Sequence, residues 1–238
     1  MTSRRNTPTS RAQLGPRSPE TIARRYGAVM SAFSARAQAR IQSWMAEGSV
    51  LDRVPALRAD LYELAQRTEK SARAVGAAVT RLGRVDVARM LRLKPIRGSH
   101  EDETAFLDRW SEHQVGLLRN VVDRQLKAIT DPMENDPLGK LWIVRNHAQL
   151  VAHNETFALS DDVIGFWSAQ AGEDEYIWLT RGDDRVRPGH AVLDGTVQRS
   201  DSPPFTGSRE GNNHPGHAPG CRCQRMPHRA LEVGRPLR

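Results

Sequence analysis

Cysteine is almost missing from this 238-residue chain, and the two it has, Cys221 and Cys223, stand one residue apart. A disulfide framework is therefore excluded as a source of stability, and a bond between the two at that spacing would be strained. Aromatic residues are scarce at 5% and mean hydropathy is low at −0.59, which favours long polar helices sharing a thin seam over one thick core. No stretch approaches the roughly 18 apolar residues that span a bilayer, and no apolar signal core opens the sequence, so manufacture in the cytoplasm is expected. The sequence also lacks a glycine-rich phosphate loop, a Gly-x-Ser-x-Gly elbow and a His-Glu-x-x-His helix. These absences give no support to an enzyme, and no small-molecule substrate is expected.

What is present is positive charge at both ends. Residues 1–50 carry eight Arg against Glu20 and Glu47, a local +6. Residues 199–238 carry seven Arg against Asp201, Glu210 and Glu232, a local +4, which leaves 51–198 at −3 of the overall +7. Such ends suit an acidic protein surface or nucleic-acid phosphates; the plainer reading is that they only aid solubility. Residues 1–17 have too few apolar groups to order themselves and read as a basic arm, with Arg4, Arg5, Arg11 and Arg17 as candidate phosphate contacts. Arg225, Arg229, Arg235 and Arg238 add to this at the other end, where 226–238 reads as a basic tail.

The chain between reads as mainly α with a small β-containing C-terminal region, an α+β class. Ser18-Pro19-Glu20 supplies an N-cap, a first-turn proline and an acid. Ile22, Tyr26, Met30, Phe33, Ala37, Ile41 and Trp44 then recur at helical spacing, and this stripe is expected to be covered in part by another chain. Further helices are predicted at about 56–67 and 70–93, the second weakened by Gly76 and Gly83. Ser99-His100-Glu101-Asp102 approximates a capping box opening a helix that stops at Asp131-Pro132, and these elements make 18–131 a helical region. Another helix follows Asp136-Pro137 to about 159, carrying His147, Asn154 and Glu155 on or near one face, either as anchors for the next turn or as a solvated shoulder. A separate short helix is predicted from Ser160-Asp161-Asp162 to Gly172. Glu175–Thr180 is rich in strand formers, with Ala191–Leu193 and Gly195–Val197 as short partners. From Ser200 to Gly220, prolines and glycines predict a long loop without regular structure.

The chemistry-bearing residues cluster in that last third. Cys221-x-Cys223 puts two thiols on one side of an extended segment, with His190, His214 and His217 as the remaining candidate ligands for a structural zinc that would pin the loop. The alternative is that both cysteines are small half-buried residues and the histidines make ordinary hydrogen bonds. Asp183-Asp184-Arg185-x-Arg187-x-x-His190 invites a hydrolase reading, yet acids followed by arginines after a strand read more simply as a salt-bridged turn built on Asp184, Arg187 and Asp194.

Taken in order, the Trp178 strand, Asp184-x-x-Arg187-x-x-His190, Leu193-Asp194-Gly195 and Cys221-Arg222-Cys223 resemble the C-terminal part of the phage Mu F-type minor head proteins, the phage head morphogenesis family. The resemblance covers about 138–225, read as a domain of its own. It departs at His153-Asn154-Glu155-Thr156, where family members carry an Arg-Thr-Glu-like stretch. It implies a virion component of a tailed phage or prophage, at the capsid interior or portal vertex, associated with portal and capsid proteins and candidate contacts to packaged DNA. It implies no catalysis, and some relatives carry toxin domains for which the 15 residues after Cys223 leave no room. The competing reading is a zinc-containing nucleic-acid-binding protein, although the arginine-rich segments lack interleaved aromatics.

Overall fold

The computed structural model describes residues 19–47, 51–94, 96–130 and 137–232, and the side chains of 21–47, 52–94, 96–130 and 150–232. It is 66% helical with short antiparallel strands toward the C-terminus, the expected class. The helices are α1 (Pro19–Ala46), α2 (Val54–Arg67), α3 (Glu69–Met90), α4 (His100–Thr130) and α5 (Pro137–Gln170). After them come β1 (Glu175–Leu179), α6 (Pro188–Ala191), β2 (Val197–Arg199), β3 (Phe205–Gly207), β4 (Gly211–Asn212), β5 (Gln224–Pro227) and α7 (Arg229–Glu232). No helix among the described residues is long and apolar enough to cross a membrane.

The chain forms two compact units that are not consecutive in sequence. One comprises Ile22–Val79 and Ser99–Thr156. Here most of the α1 stripe expected to be covered in part by another chain is buried within the chain itself: Ile22, Tyr26, Met30, Phe33, Ala37 and Ile41 are buried, while Trp44 is half-buried. The core of this unit is largely aliphatic, with Leu57, Leu61 and Ala65 of α2 and Leu118, Val122 and Leu126 of α4 fully buried. Tyr26 also packs its ring at 5.7 Å from Trp110. Its hydroxyl donates to Gln114 at 2.8 Å, and the Gln114 amide donates to Glu155 at 2.9 Å, so the buried polar groups pair with one another. Glu155 is thus an anchor within this unit; the His147 side chain lies outside the described residues. Ser99 Oγ accepts the Asp102 amide at 3.3 Å, the N-cap contact expected of the capping box.

The other unit contains Thr80–Gly98 and Phe157–Arg238. Trp167 is, with Trp178, one of its two largest buried side chains, its indole N–H donating to the Thr80 carbonyl at 3.1 Å and Arg84 lying over its ring at 5.1 Å. Three sequence expectations fail here. The helix break at Ser160 does not occur, and α5 runs unbroken to Gln170, because Asp161 spends its carboxylate on a distant arginine instead of a cap. Ala191–Leu193 is not a strand: Pro188 opens the short helix α6 and the backbone turns, leaving Val192 exposed. The loop 200–220 is not wholly irregular, since β3 and β4 pair as a small hairpin. The main sheet has the order β2-β1-β5, antiparallel throughout, with Ile177 opposite both Val197 and Met226.

The glycines expected to weaken α3 instead mark close approaches. A Cβ on Gly76 would fall 2.9 Å from Trp110, and one on Gly83 would fall 2.2 Å from Val163 Cγ1. Val163 is fully buried and β-branched, so it cannot readily swing aside. Gly83→Ala should therefore destabilise by about 1–2 kcal/mol despite the better helix propensity of alanine. A lowered urea midpoint with unchanged m-value is the expected measurement; an unchanged or raised midpoint would show that the helices can part at no cost.

Candidate metal centre

Three segments of the second unit converge on one point. Strand β1 carries the fully buried Trp178, whose ring stands edge-on to His190 at 5.5 Å. Helix α6 presents His190, and the segment entering β5 presents Cys221 and Cys223, all three buried. The approach of α6 depends on Gly189, where a Cβ would lie 2.0 Å from the Thr206 carbonyl oxygen. Gly216 takes φ +81°, and a Cβ there would meet the Phe157 carbonyl at 2.8 Å, so the loop before the cysteines also needs glycine.

His190 Nδ1 lies 3.4 Å from Cys221 Sγ and 3.5 Å from Cys223 Sγ, with all three atoms within 4.8 Å of one another. Bond lengths of about 2.0 and 2.3 Å at tetrahedral angles would separate a zinc-bound nitrogen and sulfur by about 3.5 Å. The spacing is that of donors around one ion. Nε2 of the same ring contacts Glu210 at 2.8 Å, a carboxylate partner that fixes the tautomer so that Nδ1 faces the sulfurs. Hydrogen bonding from Cys223 draws the Cys221 thiol far below its usual range, and His190 and the backbone amides of Cys223 and Gly216, each 3.4 Å away, assist against the opposing effect of burial. Cys223 is pushed up by its partner and by burial. The Trp178 indole N–H is buried and lowers the basicity of the Cys223 sulfur.

The structure places His214 and His217 elsewhere. His214 Nδ1 pairs with the Tyr176 hydroxyl at 3.1 Å, and burial lowers its pKa to about 4, with help from Arg225, so the ring is neutral and Tyr176 donates. Burial lowers the basicity of His217, but its 2.9 Å contact with Asp162 more than restores it. His217 with Asp161 and Asp162 forms a second group of potential ligand atoms. Asp161, however, is committed to Arg225, accepting from its backbone amide at 3.1 Å and from Nε at 2.8 Å.

In the turn, Arg187 clamps the neighbouring segment, pairing with Glu210 at 3.2 Å and donating to the Pro219 carbonyl. Asp194 accepts the Thr180 amide at 2.7 Å and fixes the turn after β1. Asp184 is exposed, while the preceding Asp183 takes Arg222 through both carboxylate oxygens at 2.8 Å. Sequence reasoning missed Asp183, Glu210 and the Asp161–Arg225 pair. Glu210 and Arg225 stood out only as charges in a basic segment, because their partners lie 20 and 64 residues away. Arg225 is buried and ion-paired, and Arg229 pairs with Glu173 at 3.0 Å, so neither is the open phosphate contact expected of the C-terminal segment. Arg4, Arg5, Arg11 and Arg17 lie outside the described residues.

The fold and site together define an α+β protein whose C-terminal unit closes a Pro/Gly-rich loop over a buried imidazole–dithiol cluster able to hold a metal ion. Residues 119–226 match the family described as Phage Mu protein F like protein, beginning within α4 and so ahead of the 138 expected from the motifs. The resemblance read from the sequence holds over that span, and it supports a phage head-morphogenesis protein. The chain is also 30% identical over 90 residues to an uncharacterized protein of Haemophilus influenzae. That alignment covers 38% of this chain and only 19% of the relative. No solved structure matches.

The buried ion pair generates a direct test. Asp161→Ala leaves the Arg225 guanidinium unpaired in the interior and should cost about 3–5 kcal/mol in chemical denaturation. Asp162→Ala, which removes only a partly exposed partner of His217, should cost less than about 1 kcal/mol. Equal losses for the two variants would show that the buried pair has no special weight.

Proposed function

We propose that this chain is a minor head protein of a tailed phage or prophage, a non-catalytic component that associates with portal and capsid proteins as the head assembles and remains in the virion. The match of residues 119–226 to the Phage Mu F-like family carries this reading. The Haemophilus relative is several times longer than the matched segment, so the assignment concerns the role of this chain and not that of the relative. Commitment of Arg225 and Arg229 to internal ion pairs weighs against the alternative of a dedicated nucleic-acid-binding protein. In the phage or lysogen that encodes it, the chain should be detected by mass spectrometry in purified heads at low copy, and its deletion should reduce the yield of filled heads. Absence from heads, together with an unchanged yield on deletion, would remove the reading.

Within this role, His190, Cys221 and Cys223 hold a structural zinc. The donor spacing, the soft sulfur ligands and the Glu210 carboxylate behind the imidazole all support that ion. The bound ion locks α6, the loop 200–220 and β5 into one piece, a task that a short sheet with few buried residues does poorly alone. Purified protein should contain one zinc per chain by elemental analysis, and the double variant Cys221→Ser, Cys223→Ser should contain none. Chelation should lower the melting temperature, since zinc at 100 times its Kd stabilises by about 2.7 kcal/mol. Zinc-free protein with a chelator-insensitive melt would exclude the site.

Packaged DNA is the remaining proposed partner, through Arg4, Arg5, Arg11 and Arg17 in the segment 1–17. Each arginine engaged on duplex phosphates contributes about −0.9 to the log–log salt slope, so deleting 1–17 should flatten the slope by up to about 3.6. Identical slopes for the full and shortened chains would transfer the arm to protein contacts.

A further inference from the structure

A closed structural zinc takes four protein ligands, and this cluster supplies three. Glu210 does not provide the fourth, because it meets Nε2, on the side of the ring away from an ion at Nδ1. Among the described residues, no further histidine, cysteine or carboxylate joins the group. Beside it is a partly open cavity of roughly 20 Å³ whose lining includes His190, both cysteines, Arg181, Arg185, Arg187 and Arg222. That volume accommodates about one water-sized ligand.

The charges around this cavity are unequal. No carboxylate lines it; Arg187 pairs with Glu210 and Arg222 with Asp183. Two thiolates balance a divalent ion, so a lining that carries arginines and no carboxylate leaves the cavity positive. The vacant coordination direction and the arginine wall thus favour the same kind of ligand. One oxygen of an anion can complete the metal tetrahedron while a second accepts from an arginine fork.

We propose that the ion held by His190, Cys221 and Cys223 keeps an exchangeable fourth position facing this cavity, and that the position takes an oxyanion, through a phosphate or a carboxylate oxygen. The proposal rests on the zinc reading above and adds that the site is open and recognises a ligand. It makes the loop closed by Cys221 and Cys223 a point of contact with an acidic partner or a phosphorylated one, as well as a structural tie.

Cobalt(II) substituted for zinc in the full chain tests both levels, because its visible ligand-field bands report the donor set without any activity assay. Inorganic phosphate and acetate are titrated separately. Saturable band shifts with phosphate alone assign a phosphoryl oxygen; shifts with acetate, alone or together with phosphate, assign a carboxylate-type oxygen, and either supports the proposal. Arg185→Ala should raise the half-saturating concentration about tenfold, as expected for loss of a charged hydrogen-bond donor. Tetrahedral thiolate spectra that neither anion moves would overturn the open position while leaving the metal site standing. Unchanged anion affinity in Arg185→Ala would overturn the role of the arginine wall. Failure of cobalt and zinc to bind at all would remove the metal reading itself.

Discussion

The contact on which the C-terminal unit depends is the buried pair of Asp161 and Arg225. Both groups are withdrawn from water, and burial pushes the Asp161 carboxyl up to about 6 against the pull of Arg225. Such a pair persists only where its hydrogen-bonding capacity is used, and here Asp161 accepts from both the backbone and the guanidinium of Arg225 while the Tyr176 ring covers the cation at 4.7 Å. Helix α5 can come this close because position 165 is glycine, where a Cβ would fall 2.4 Å from the guanidinium. The pair fixes β5 against α5, and β5 in turn pairs with β1.

The position of the candidate metal centre follows from that constraint. Cys223 lies two residues before Arg225, and Trp178 lies opposite Arg225 in the β1–β5 ladder, so anchoring Arg225 places a sulfur and an indole on the same side of the sheet edge. Helix α6 then brings in His190, held from behind by Glu210, and Arg187 ties that element to the Pro219 carbonyl just ahead of the cysteines. Small residues at the crossings, Gly189 and Gly216, let these segments approach. The cavity with its four arginines is the outer face of the same construction.

Helix α1 shows how readily a surface is misjudged from a stripe alone. Its apolar residues looked too many for a chain poor in aromatics, yet most of them are buried in a core that is largely aliphatic. Hydrophobic area is what burial requires, and leucine and valine supply it as well as phenylalanine does. Glycines in α3 misled in the opposite direction, since propensity describes an isolated helix and says nothing of a neighbour needing the space.

By itself the sequence determined what depends on near neighbours. The helical periods, the Ser99 cap, the β1 strand and the clustering of chemistry around His190 and Cys221-x-Cys223 were legible because those patterns are set over a few residues. Only the tertiary structure decided which histidine meets the thiols, that Asp183 and not Asp184 takes Arg222, that Glu210 stands behind the imidazole, and that Asp161 holds Arg225 instead of capping a helix. These contacts join residues 20 to 64 positions apart. Which of several similar charges is chosen at that range depends on where the packed backbone leaves room and excludes water, a property that no short stretch of sequence carries.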